Sequence, residues 1–133
     1  MLGIIVGVFF ILHGLVHLLY SGQSARLFEL QHGMVWPDGS WAFSKHLGVQ
    51  MTRRLAGISC FLAAVCFVMA GIAVFLETSW WQAMVIGSAT ISAIIFVLFW
   101  DKRTEKLHDK GGIGILINLA ILVALVVFDW PSI

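Results

Sequence analysis

The sequence predicts an all-α fold, an integral membrane four-helix bundle with both termini on the non-cytoplasmic side. Three observations predict it. Hydrophobic residues make up 60% of the 133 and charged residues only 11%, where a soluble domain carries about 25% charged. Mean hydropathy is correspondingly high, at +0.97. The apolar residues fall in four long blocks, and all 8 Lys and Arg lie in the connections on one side of them.

The blocks run over about 2–20, 55–76, 80–100 and 112–128, in one membrane domain spanning residues 1–133. A helix needs roughly 20 apolar residues to cross the hydrocarbon core, and about 17 suffice, so each block qualifies. The first, Leu2–Tyr20, has no formal charge. It lacks the basic n-region of a signal peptide and is long for an h-region, so it is expected to be a retained helix.

The connections differ greatly in length. Glu77, Thr78 and Ser79 alone separate the second and third blocks, which makes those helices antiparallel neighbours. Residues 101–111 form a charged link between the third and fourth. Residues 21–54 form a long loop, unusual for so small a bundle. Within that loop SARLFELQHGM predicts a short interfacial helix, with Ser24 as N-cap and Gly33 as its stop. WPDGSW predicts a reversal, because Pro37 presets φ and Asp38-Gly39 favours a turn.

Orientation follows from the cations. Arg26, Lys45, Arg53 and Arg54 lie in or at the end of the first loop, and Lys102, Arg103, Lys106 and Lys110 in the third. The positive-inside rule makes that side cytoplasmic. A net charge of +1 gives no reason to expect nucleic acid as a partner.

The candidate chemistry is in the first helix. His13 and His17 sit one turn apart in HGLVHL, on the face that carries Gly3, Gly7, Phe10, Gly14 and Ser21. At 100° per residue these positions share about a third of the circumference, and the rest is Ile, Leu, Val and Phe. The small-residue face should meet protein and the other face lipid. Ionisable groups at membrane depth are costly and want partners. At similar depth stand Ser92 in the third helix and Asn118 in the fourth, with Arg53, Arg54 and Asp101 at the mouth of the same end. Trp36 and Trp41 flank the PDG turn, where the loop is able to fold back as a lid over that end. These nine residues are the expected ligand-binding set. The bland alternatives are that His, Ser and Asn only hydrogen-bond between helices, and that all six tryptophans are interfacial anchors.

No metal site is expected, because zinc usually takes three or four protein ligands and two histidines stand without others at their depth. No cofactor is specified. Cys60 and Cys66 are about 9 Å apart along a helix, too far for a disulfide. Ala56, Cys60, Ala63, Ala64 and Gly71 line one small-residue stripe, and Ala83, Gly87 and Thr90 another; such stripes let helices approach closely, within one chain or between copies.

HGLVHLLY, RRLAG, the WW pair opening the third helix, and its FWD end followed by Asn118 resemble a group of small prokaryotic four-helix membrane proteins. A fainter similarity is to DoxX-like proteins, small four-helix proteins linked in part to quinone-coupled sulfur oxidation. The resemblance implies the fold and a place in a prokaryotic inner membrane, and transfers no catalytic residue. The expected function is a binding protein or accessory subunit for a small or lipid-like ligand, with the bilayer, a second copy or a membrane subunit as partner. The alternatives are a quinone- or lipid-directed oxidoreductase or isomerase, and a protomer of an oligomeric transporter.

Overall fold

A computed structural model describes residues 1–30, 32–102, 104 and 112–131. Its elements are helices: α1 (Leu2–Ser24), α2 (Ser44–Phe75), α3 (Trp81–Leu98) and α4 (Gly112–Leu122), which continues as a π-helical segment, Val123–Val127. The first three are long and apolar enough to cross a membrane. The charged link 101–111, with Arg103, Lys106, His108 and Lys110, lies almost wholly outside the described residues.

Two boundaries differ from the sequence reading. α1 continues through Ser24, so Ser24 ends a helix rather than capping a new one, and residues 25–30 and 32–33 form turns and bends in place of the expected interfacial helix. Gly33 stands at φ +75 within those turns. α2 begins at Ser44, well before the apolar run, because its first turns are polar and lie outside the hydropathic block. Gly48 breaks that early segment, with φ 79 and ψ 166, a conformation that glycine adopts at no steric cost.

α1 and α2 make the closest pairing. A Cβ added at Gly14 would stand 2.9 Å from the Ala64 carbonyl oxygen, and one at Gly71 would stand 2.7 Å from that of Gly7. The α2 stripe of Ala56, Cys60, Ala63, Ala64 and Gly71 is buried throughout, so it serves contacts within the chain. In lipid, where hydrocarbon surrounds the helices on all sides, such close packing supplies much of the association energy.

The core has two parts. Towards the termini, Phe10, Phe67, Trp81, Val85 and Ile121 pack together. Towards the first loop, Trp36, Cys60, Ile95, Phe96 and Phe99 do. Outward faces carry exposed Ile4, Leu12 and Leu19 on α1 and Ile58 and Phe61 on α2. The α3 face of Ala83, Gly87 and Thr90 is also exposed.

Candidate functional site

Three helices bring four polar side chains together. His13 and His17 come from the inward face of α1, Ser92 from α3 and Asn118 from α4; all four are buried, Ser92 and Asn118 completely. His13 Nε2 lies 2.9 Å from Asn118 Oδ1. Asn118 Nδ2 donates to Ser92 Oγ at 2.8 Å. Ser92 Oγ lies 2.5 Å from His17 Nε2, and His17 Nδ1 is 2.9 Å from the His13 carbonyl.

One assignment of protons satisfies all four contacts. The His13 carbonyl only accepts, so His17 carries its proton on Nδ1 and accepts from Ser92 through Nε2. Ser92 then accepts from the Asn118 amide, whose oxygen accepts from His13 Nε2–H. Neither ring needs a second proton. Interhelical bonds of this kind average about 0.6 kcal/mol in a bilayer protein, so the three that join helices contribute about 2 kcal/mol. Phe67 packs against both imidazoles, with centroids 4.7 Å from His13 and 5.2 Å from His17.

An aromatic layer closes the loop side of this quartet. The Phe96 ring lies 5.8 Å from His17 and 5.7 Å from Trp36, and Tyr20 contacts both Phe96 and Trp36. Trp36 is 4% exposed, so the first loop does fold over the bundle end, carried by this one tryptophan. Its indole Nε1 has no hydrogen-bond partner. Trp41 is half-exposed on the outer wall instead, donating through Nε1 to the Val97 carbonyl at 2.7 Å.

The loop also caps α3. The last carbonyls of a helix have no partner within it. Here Ser40 Oγ donates to Leu98 O, and Trp41 N to Trp100 O.

The expected mouth residues take separate positions. Arg53 clamps Asp38 bidentately, Nε to Oδ1 and Nη2 to Oδ2, each at 2.8 Å. Arg26 reaches the same carboxylate at 2.6 Å and also donates to the Val35 and Trp36 carbonyls. Those contacts hold Arg26 at φ 60, a left-handed conformation that a non-glycine residue keeps only when its surroundings impose it. Arg54 is exposed and, among the described residues, has no carboxylate partner. Asp101 sits against Gly39 of the loop. Among the described residues, no hydrogen bond or ion pair joins the expected mouth residues Arg53 and Arg54 to the quartet.

Sequence reasoning missed three residues. Gln23, fully buried, donates to the Met34 carbonyl and accepts from Leu30 N, which organises the loop. Asp38 was read only as a turn former. Trp81, expected among the interfacial anchors, is 6% exposed and belongs to the core. Its helical phase, shared with Ser88 and Ser92, was the available signal.

Among the described residues, clefts on the flanks include three whose linings do not contain the quartet. One of about 710 Å³ lies at the termini end, beside Met1, Phe75 and Trp81. A second, of about 590 Å³, lies between the loop end of α1 and the start of α2. The third, of about 460 Å³, lies between α1 and α4 and is walled by Phe9, Phe10, Ile117, Ile121 and Ala124. Among the described residues no three His, Cys, Asp or Glu side chains converge as metal ligands. No protein-family model, curated protein or solved structure matched the chain.

Proposed function

We propose that this chain is a multi-pass protein of a prokaryotic inner membrane and that all four helices span. Both termini would be outside, with the first and third loops in the cytoplasm. Its role in this reading is to bind a lipid-like molecule or to serve as an accessory subunit, rather than to catalyse. The observation that carries the reading is the α1–α4 cleft. Every residue lining it is apolar, it lies between two apolar helices, and Phe9 on its wall stacks on His13 at 5.9 Å. A prenyl or acyl chain has the shape and polarity for it. The quartet directly behind it spends its polar groups on one another, which supports a locking role over an acid–base one. The uncovered Ala83–Gly87–Thr90 face supports a homo-oligomer.

The test is retention of apolar molecules after purification into nanodiscs of bacterial lipid extract, read by native mass spectrometry. The wild type should hold one lipid-like adduct, and Ala124→Trp, which fills the cleft, should lose it. Equal adducts in the two proteins would refute the reading. Orientation is tested separately by Lys45→Cys, which an impermeant thiol reagent should leave unmodified in intact cells.

A further inference from the structure

The cleft between α1 and α2 has a different chemistry from the apolar one, and it lies at the opposite end of α1. Arg26, Arg53 and Arg54 all line it, along with Ser24, Gln50 and Phe61. Among the described residues one carboxylate, Asp38, pairs with them, and it is bonded by both Arg26 and Arg53. Three guanidinium groups against one carboxylate leave a surplus of two positive charges at this site.

Donors remain as well as charge. Arg53 commits Nε and Nη2 to Asp38, which leaves Nη1 outside that clamp. The whole Arg54 fork is unbonded among the described residues. The bidentate clamp orients the Arg53 plane. An anion entering the cleft would therefore meet one positioned and one mobile guanidinium, the geometry that suits a tetrahedral phosphate.

The other wall is apolar. Ile58 is 60% exposed and Phe61 52%, and both continue from the arginines along α2 into the hydrophobic run. Arg53 and Arg54 stand at its very start, just before Leu55. At that height a hydrocarbon core gives way to headgroups, where basic side chains reach lipid phosphates. The cleft is thus cationic at one end and greasy at the other, as an anionic amphiphile requires.

We propose that the Arg53–Arg54 cleft is a binding site for the phosphate of an anionic phospholipid, with an acyl chain laid along Ile58 and Phe61. The site is independent of the α1–α4 cleft and of any ligand there.

The experiment uses the full chain in detergent, titrated with phosphatidylglycerol or phosphatidylcholine and read by native mass spectrometry. The wild type should bind phosphatidylglycerol in preference. Arg54→Gln should weaken that binding about five- to tenfold while weakening phosphatidylcholine, whose choline cation offsets its phosphate, much less. Arg54 is exposed and unbonded, so the variant should fold. Lys45→Gln removes an equal charge outside the cleft and should have little effect. Equal binding of the two lipids would overturn the proposal, as would equal losses in Arg54→Gln and Lys45→Gln. Inorganic phosphate is the remaining arm. Competition by millimolar phosphate as effective as by the lipid would mean a free-anion site and overturn the assignment to lipid.

Discussion

Inside the bundle, His13, His17, Ser92 and Asn118 join three helices through hydrogen bonds that need no net charge. At the loop end, Arg26, Arg53 and Asp38 join α1, the first loop and α2 through charges in partial contact with water. The first cluster commits most of its polar groups to one another in a single chain of bonds. The second is overcommitted on the acidic side and undercommitted on the basic side. In the membrane setting proposed for this chain, the difference follows from the surroundings. Hydrocarbon penalises an unmatched polar group heavily, whereas the membrane surface tolerates surplus charge and even exploits it. A closed network therefore marks architecture, and an unbalanced one marks where a ligand is to be sought.

The strongest test of that contrast is Trp36, which stands between the two clusters. Trp36→Ala should cost about 3 kcal/mol and open the quartet's loop side to water. Thermal unfolding in detergent should report the first effect, and faster hydrogen exchange in the second turn of α4 the second. Asn118→Leu comes next. It strands the His13 Nε2–H and removes two of the three interhelical bonds, so a loss of about 1–3 kcal/mol is expected. The double variant His13→Leu/Asn118→Leu should be less destabilised than the sum of the single ones by about 1 kcal/mol, because it leaves fewer unmatched groups. Strict additivity would show that the pair is not coupled.

Asp38→Asn probes the other cluster. The ion pairs are partly exposed, so a change of below about 1 kcal/mol is expected. It should shrink further as salt rises to about 1 M, where the screening length falls to about 3 Å. Asn118→Leu should show no such salt dependence. The smallest effect belongs to Lys102→Gln. Its ammonium lies 5.0 Å from the Trp41 ring centroid, and loss of that exposed contact should cost about 0.5 kcal/mol, read as a small drop in the unfolding midpoint.

How far the sequence reached depended on which forces were local. The inward face of α1 was legible because Gly7, Gly14, His13 and His17 share one side of a single helix. That Ser92 and Asn118 belong with the histidines was a matter of matching depth; their convergence depends on the rotation of α3 and α4, which no spacing within one helix encodes. The start of α2 was misplaced because hydropathy marks where a helix enters lipid and not where it begins. KHLGVQMTRR is polar and helical except at Gly48. Gln23 was invisible for the converse reason: in a polar stretch it looked like loop, yet it closes α1 and holds the loop's backbone. Trp36 was legible as one of a pair, and only packing separated it from Trp41.

The glycine contacts between α1 and α2 have a consequence for alignment along the helix axes. With Gly14 against the Ala64 carbonyl and Gly71 against that of Gly7, two backbones touch at points about two turns apart, like teeth on a pair of racks. Sliding α1 by one turn, about 5.4 Å, would drive a side chain into a main-chain oxygen at either tooth. That meshing sets the height at which His13 and His17 are presented, and a hydrogen-bond chain with one spacing allowed between its members depends on it. Helix register, settled where there is no polar chemistry at all, is thus what places the polar groups within reach of one another.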